Sequence, residues 1–282
     1  MMPVGPVGAR VARVQGAVGR CARKSARVHG SGRFHGLRAT GGARLASRRI
    51  VAIQVFCCFS HFTGDGLRQD PHYGVGQFVN ALKGRPLSGY AYLRVARDEP
   101  RRRLDGGNAA LAFEWFGEMA AGWVAALGSP IALVPIPDSR CIDSEHSART
   151  RPLADALAAR IPGAVVLDVL RFDRQMHSAH AAQGARDARS LCLHLRVSAP
   201  LTPNPRALLV DDIITTGGHV AASAAVLRAA GAQVLGAVCG ASADRVPVVD
   251  PFERVIRTVE EYHVSPSVGS ATGVALGTPL MD

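Results

Sequence analysis

The sequence contains the stretch Pro205-Arg-Ala-Leu-Leu-Val-Asp-Asp-Ile-Ile-Thr-Thr-Gly-Gly-His219, which indicates the fold of the chain. Residues 207–210 have the length and composition of a buried strand in a parallel sheet, with a proline before them and glycines after them. A helix is predicted to follow, because apolar residues recur at helical spacing before a terminating glycine, at Val220, Ala224, Leu227 and Gly231. The stretch therefore predicts a strand, an acidic turn rich in threonine and glycine, and a helix start.

The turn between this strand and this helix has the chemistry of a phosphate site. Free N–H groups at a helix start, with glycines that let the backbone approach closely, can bind a phosphate dianion. Thr215 and Thr216 add hydroxyl donors. Asp211 and Asp212 do not attract phosphate, but they can accept hydrogen bonds from sugar hydroxyls or face Mg²⁺. A ligand with a phosphate, a diol and a metal ion fits this pattern; the plainer alternative is a strand-turn-helix whose acids cap and solvate.

Residues 208–218 resemble the phosphoribosyl pyrophosphate (PRPP) signature of type I phosphoribosyltransferases. The resemblance implies that Asp211 and Asp212 bind the ribose hydroxyls and, indirectly through ribose or water, Mg²⁺. It also implies that the turn binds the 5′-phosphate, through Thr215, Thr216, Gly217, Gly218 and His219. His219 departs from the family pattern, which usually has Thr or Ser there, although an imidazole N–H can also donate a hydrogen bond.

Two further segments resemble phosphate-binding parts of the same family. The predicted strand 131–137 leads into Asp138, Ser139 and Arg140, which resemble the pyrophosphate loop; the alternative is a surface turn. At residues 171–189 the chain is polar, where the family has a flexible loop that closes over the pyrophosphate. The resemblance implies a lid whose cations are Arg171, Arg174, Arg186 and Arg189. The alternative is a solvated helix face.

The order of the predicted elements indicates the fold class. Helices alternate with strands, in the order 109–126, 131–137, 150–161, 164–170, 207–210, 220–231 and 233–239. Thr150 is predicted as the N-cap of the second helix. We expect an α/β fold with a doubly wound, mainly parallel sheet of the type I phosphoribosyltransferase kind and an N-terminal accessory segment. The loops after residues 137, 170 and 210 would then meet at one edge of the sheet.

We divide the chain into a basic arm at 1–50, an accessory segment at 51–105, a phosphoribosyltransferase core at 106–262 and a loop-like tail at 263–282. The accessory segment resembles the variable hood that closes over the site in this family. Its predicted elements are a strand at 50–58, a loop at 60–71, a helix at 74–83, a strand at 90–95 and a charged turn at 97–105.

The net charge of +11 on this 282-residue chain is a property of its N-terminus. Residues 1–50 contain 11 Lys/Arg and no Asp or Glu, and the remainder holds 22 charges of each sign. This balance argues against nucleic-acid binding by the globular part. For the arm we rank three alternatives: sequence upstream of the true start, then a transit peptide, then a nucleic-acid-binding arm.

The six cysteines show no C-x₂-C pair, which argues against a zinc ribbon and for reduced thiols. We predict no membrane span and no secretory signal, and we expect a cytoplasmic protein.

The resemblance implies Mg²⁺-dependent transfer of phosphoribosyl from PRPP to a nitrogen nucleophile, with release of pyrophosphate. The strand end at 134–137 and the Arg/Gln-rich segment are similar to the competence-protein-F-like branch, although the Cys-rich zinc element often seen there is missing. The alternative is a non-catalytic PRPP- or nucleotide-binding regulatory protein of the same fold. The sequence specifies no acceptor among bases and amines, and it leaves homodimer formation open.

Overall fold

The computed structural model describes residues 52–66, 70–138, 141–142, 149–176 and 187–262. In chain order the elements of these residues are β1 (Ala52–Phe62), α1 (Asp70–Leu82), β2 (Tyr90–Leu93), β3 (Arg102–Asp105), α2 (Leu111–Ala125), β4 (Ile131–Pro135), α3 (Thr150–Ala158), β5 (Ala164–Val166), β6 (Leu170–Phe172), α4 (Ala188–Cys192), β7 (Leu195–Val197), β8 (Arg206–Ile214), α5 (Gly218–Ala229), β9 (Gln233–Asp244) and β10 (Val255–Glu260). The predicted arm and tail lie outside the described residues, and so do Ser139, Arg140 and Arg186.

Six of the strands form one sheet in the order β10-β1-β9-β8-β4-β5. The strands β1, β9, β8, β4 and β5 run parallel to one another. Strand β10 pairs antiparallel with β1 and forms one edge of the sheet. In the middle of the sheet, Val210 of β8 lies opposite Val238 of β9 and Pro135 of β4. The predicted α/β fold with a mainly parallel sheet is confirmed.

Helices cover both faces of this sheet, and the sequence of β8 explains why both faces need to be covered. Leu208 and Val210 pack on the face that carries α1, α2 and α3. Ala207 and Leu209 pack on the opposite face, against α4 and α5. All four side chains are fully buried, and burial contributes about 1.5–3 kcal/mol for a leucine. A strand buried on both faces needs a continuous apolar run rather than an alternating one.

The structure places β1 inside the central sheet, whereas the sequence analysis assigned residues 51–105 to an accessory segment. The strand lies between β10 and β9, with Cys57 opposite Cys239. It continues to Phe62, beyond the predicted end at residue 58, because its side chains remain buried on both faces. Helix α1 also begins earlier than predicted, at Asp70, where Pro71 suits a first helical turn.

A two-stranded hairpin replaces the charged turn predicted at residues 97–105. Strand β3 pairs antiparallel with β2, and Tyr90 lies opposite Asp105. Leu93 and Leu104 are fully buried on the inner side of this hairpin. Buried and exposed residues thus alternate along β2, and Leu104 is the buried residue of β3. The arginine-rich composition of β3 made this strand difficult to recognise in the sequence.

The predicted strand 164–170 is divided in the structure. Its first part, β5, lies at the sheet edge, whereas β6 pairs with β7 in a separate two-stranded sheet. Between them the Asp168 side chain, which is 4% exposed, forms an ion pair of 2.6 Å with Arg171. The pairing with β4 ends at Val166, so this ion pair lies where the chain leaves the sheet.

Two smaller differences concern α3 and β10. Arg149, not Thr150, is the N-cap residue of α3, and the Thr150 hydroxyl instead donates to the Ile136 carbonyl at 2.7 Å. Strand β10 was not predicted, and Val259 is its one buried residue. None of the described helices is long and apolar enough to cross a membrane.

Candidate functional site

A cavity of about 190 Å³ opens at the carboxyl ends of β4 and β8. These neighbouring strands continue into helices on opposite faces, since β4 leads to α3 and β8 leads to α5. Such a divergence leaves a crevice at the strand ends, where open α/β sheets bind ligands. The cavity is lined by Lys83, Ile136, Pro137, Asp138, Arg149, Thr150, Asp211, Asp212, Ile213, Thr215 and His219.

The two predicted acids occupy the part of β8 that extends past its last pair with β4. Pro135 pairs with Val210, after which β4 ends and β8 continues along β9 alone. The Asp212 backbone N–H donates to Asp211 Oδ1 at 2.8 Å. Burial of its carboxyl group, and then the neighbouring charge of Asp212, raise the pKa of Asp211 well above the ordinary value. A raised pKa favours the protonated form of Asp211, in which the carboxyl group can donate as well as accept a hydrogen bond.

Arg149 connects the acids of the two strand ends. Its Nη1 donates to Asp212 Oδ2 at 3.3 Å, and its Nε lies 3.6 Å from Asp138 Oδ2. Both carboxylates are nearly buried, with side-chain exposures of 7% for Asp212 and 5% for Asp138. The guanidinium thus compensates two buried negative charges that would otherwise be costly to desolvate.

Lys83 enters the cavity from the end of α1. Burial lowers the pKa of Lys83, although the charge of Asp212 acts in the opposite direction. Phe78 and Leu82 of α1 lie close to Gly240 of β9. This packing holds the end of α1 beside the sheet, and Lys83, which follows it, lines the cavity.

The predicted phosphate turn contributes part of the cavity wall. Thr215 and His219 line the cavity, whereas Thr216, Gly217 and Gly218 are not among the lining residues. Gly217 is the N-cap of α5 in the left-handed conformation, with φ of 84°. A β-carbon there would lie 2.7 Å from Val259 Cγ2, so the turn requires glycine for both space and conformation.

The other predicted site residues divide into three groups. Asp138 lines the cavity, as the pyrophosphate-loop resemblance implied for its position. Arg171 is buried in β6 on Asp168, Arg174 donates to His194 Nε2 at 2.6 Å, and Arg189 is exposed in α4. Ser139, Arg140 and Arg186 lie outside the described residues. Arg171 thus belongs to a packed strand rather than to a loop, and the lid stays a prediction for the rest of its segment.

The predicted motifs did not include Lys83 and Arg149, which are cations among the described residues that line the cavity. Lys83 is one of two lysines in a chain that otherwise uses arginine, and that rarity was the one available signal. Arg149 stands among other arginines in the sequence, and no sequence pattern marked it as a site residue. Both depend on how distant segments pack, and local patterns do not encode this.

The donor set of the cavity suits a magnesium ion that is held mainly by its ligand. Asp211 and Asp212 supply the carboxylate oxygens that Mg²⁺ prefers. Within the described part of the chain, no group of three or more His, Cys, Asp and Glu could hold a metal ion by itself. The acids therefore fit a hydrated ion that reaches them through water or ribose oxygens.

Comparison with known proteins gives one short similarity. No family model matches the chain. A stretch of 39 residues, 14% of the chain, is 51% identical to the adenine phosphoribosyltransferase of Parasynechococcus marenigrum (strain WH8102). The match covers 23% of that protein, so the chain matches less than a quarter of this relative's length. The similarity coarsely supports a phosphoribosyltransferase of the type I kind.

Proposed function

We propose that this protein is a phosphoribosyltransferase that transfers the phosphoribosyl group of PRPP to a nitrogen nucleophile and releases pyrophosphate. One observation carries the proposal. The cavity between β4 and β8 unites the acid pair, Thr215 and His219 of the phosphate turn, and Asp138 after β4. These are three of the parts that a sugar carrying a phosphate and a pyrophosphate group requires, and they lie at the carboxyl ends of the strands, where such folds bind ligands.

Each part of PRPP has matching chemistry in this arrangement. The ribose hydroxyls donate to Asp211 and Asp212, and the 5′-phosphate accepts from Thr215, His219 and the free N–H groups that begin α5. The pyrophosphate extends toward the loop that follows Asp138. Mg²⁺, when bound with PRPP, supplies positive charge to the pyrophosphate oxygens. The protein's own contribution is to position the ribose and exclude water from the reacting carbon.

The similar protein from Parasynechococcus is named for adenine, which makes adenine the first acceptor to test here. A cytoplasmic location, homodimer formation and a place in the competence-protein-F-like branch are predictions from the sequence.

A pyrophosphate-release assay tests the proposal directly. The purified full chain would be incubated with PRPP and Mg²⁺ and, separately, with adenine, other bases and ammonia. Acceptor-dependent release of pyrophosphate is the expected result. PRPP binding without release under any of these conditions would favour the regulatory alternative. Absence of PRPP binding would contradict both functions.

A further inference from the structure

A second cavity, of about 490 Å³, lies beside β1 on the face of the sheet that carries α1, α2 and α3. Its walls come from β1, from α2, from residues 94–97 after β2 and from residues 250–254 before β10. This volume lies within the range of about 300–1,000 Å³ that is typical of small-molecule sites. The cavity therefore has the size to hold a ligand of its own.

The second cavity is separate from the crevice at the ends of β4 and β8. The two share none of their described lining residues. Strand β9 lies between β1 and β8 in the sheet, and Phe78 and Leu82 of α1 lie close to its Gly240. Phe78 also packs edge to face on Phe59 of β1, with ring centroids 4.9 Å apart. Packed side chains thus stand between a ligand in the second cavity and the acid pair of β8.

The floor of the second cavity is apolar. It consists of four buried side chains, at Cys58, Val95, Met119 and Phe252. The Phe252 ring is held by two neighbours, because the Phe59 ring centroid lies 5.7 Å from its own and the Arg101 guanidinium lies 5.3 Å from it. A ligand with an apolar body gains free energy when it displaces water from such a floor.

Three arginines line the polar part of this cavity, at Arg94, Arg97 and Arg254. Arg94 donates through Nη1 to Asp250 Oδ2 at 2.7 Å, and its other nitrogens donate to no residue in the described part of the chain. Arg97 and Arg254 are exposed, and neither forms an ion pair with a described residue. Burial raises the pKa of the Cys58 thiol, whereas the charge of Arg254 acts in the opposite direction, so this guanidinium lies near the floor.

The charge balance of the cavity suits a ligand with a single negative charge. Two acids, Asp250 and Glu253, line the cavity together with the three arginines, so its described lining residues carry one positive charge in excess. A phosphate dianion would exceed this excess and would lie near both acids, which would repel it. A carboxylate carries one charge, and its two oxygens match the fork of donors that a guanidinium offers.

We propose that this second cavity binds a carboxylate ligand with a compact apolar body; this inference does not depend on the proposed function. The apolar body packs on Met119 and Phe252. The carboxylate accepts hydrogen bonds from Arg97, from Arg254 and from the nitrogens of Arg94 that Asp250 leaves unused.

Calorimetric titration of the full chain with 2-naphthoate tests this site, and 2-naphthylmethanol is the neutral analogue with the same rings. The wild type should bind 2-naphthoate about tenfold more tightly than the analogue, because only the carboxylate pairs with the arginines. Arg97→Gln combined with Arg254→Gln should weaken 2-naphthoate binding by about tenfold and leave binding of the analogue unchanged. Ala96→Trp, at a half-buried lining position, should fill the cavity and abolish binding of both compounds.

Arg245→Gln is the matched control, because it removes an exposed arginine that belongs to the same connection between β9 and β10 but does not line the cavity. This variant should bind 2-naphthoate like the wild type, and so should Asp211→Asn combined with Asp212→Asn, which changes only the crevice. Circular dichroism should show every variant folded.

Four results would each overturn the site. They are no binding of 2-naphthoate by the wild type, equal affinity for 2-naphthoate and its neutral analogue, wild-type affinity in the double arginine variant, and loss of binding in the variant of the acid pair. Tighter binding of 2-naphthyl phosphate than of 2-naphthoate would contradict the charge balance and with it the carboxylate ligand.

Discussion

Asp211 and Asp212 are neighbours in β8 but have different surroundings. Asp212 is compensated by the Arg149 guanidinium at 3.3 Å. The carboxyl group of Asp211 accepts a hydrogen bond from the Asp212 backbone N–H, and burial raises its pKa. Asp212 is therefore paired with a cation, although both acids line the same cavity.

The acid pair gives a direct prediction for PRPP binding. Asp211→Asn combined with Asp212→Asn keeps the size of both side chains but removes their negative charge, so the ribose hydroxyls and the metal lose their acceptors. We expect PRPP affinity to fall by about a hundredfold or more, since two charge-assisted interactions are lost. Calorimetric titration with PRPP and Mg²⁺ measures this loss.

The fold should survive this change, because asparagine can still accept from the Arg149 guanidinium and from the Asp212 backbone. Far-ultraviolet circular dichroism and the urea midpoint provide the control. Unchanged PRPP affinity in the folded double variant would remove the central claim of the proposed function.

At the scale of elements, the phosphate turn depends on a contact between α5 and β10. Gly217 lies at the start of α5 with a positive φ, and Val259 of β10 occupies the space where its β-carbon would be. Gly231, beyond the end of the same helix, also has a positive φ of 91°, but no atom lies within 4 Å of the position its β-carbon would take. The two glycines that flank α5 therefore both adopt a positive φ, but only at Gly217 does a neighbouring side chain occupy the space of a β-carbon.

Substitution of these two glycines separates backbone strain from packing. Gly231→Ala should lower the free energy of unfolding by about 1 kcal/mol, the cost of a left-handed alanine. Gly217→Ala carries the same strain and must also displace Val259, so it should cost about 2–3 kcal/mol. Urea denaturation of both variants measures the difference.

PRPP affinity supplies the second measurement for this pair. Gly217→Ala should weaken PRPP binding because the start of α5 moves, whereas Gly231→Ala should bind PRPP like the wild type. Equal stability losses and equal PRPP affinities in the two variants would show that β10 does not constrain the phosphate turn.

At the scale of the whole molecule, the sheet buries thiols in its centre. Cys57 and Cys58 of β1 and Cys239 of β9 are fully buried. Burial raises the pKa of Cys58 above the ordinary value of 9.0, and the pKa of Cys239 is raised by its hydrogen bond with Cys57 and then by burial. The thiols of Cys58 and Cys239 stay protonated in the folded protein at a pH where they ionise in the unfolded chain.

The buried thiols predict a loss of stability at alkaline pH. Above pH 9 the unfolded state releases thiol protons that the folded state retains, so the free energy of unfolding falls as pH rises. Between pH 8 and pH 10 each such thiol should contribute a decrease of about 1 kcal/mol. Urea denaturation at several pH values measures the slope.

Cys58→Ala provides the control for this slope. The variant loses packing at every pH, but its stability should depend less steeply on pH than that of the wild type. The difference between the two slopes cancels the contributions of lysine and tyrosine groups. Parallel slopes would indicate that Cys58 ionises in the folded protein as readily as in the unfolded chain.

Local patterns determined most of the central sheet and part of the site. The continuous apolar runs of β4, β8 and β9 indicated strands buried on both faces. The turn that begins at Thr215 follows β8, whereas the acid pair, predicted for that turn, lies within the strand, which continues to Ile214. These features are readable because neighbours in sequence share one element, and the period of burial shows directly in the residues.

Tertiary structure alone decided the rest. The sequence did not show that β1 enters the sheet, or that Lys83 and Arg149 line one cavity with the acids of β8. Each of these depends on contacts between segments far apart in the chain. The partners of Lys83 and Arg149 depend on the packing that surrounds these side chains, so they cannot be read from the neighbouring residues in sequence.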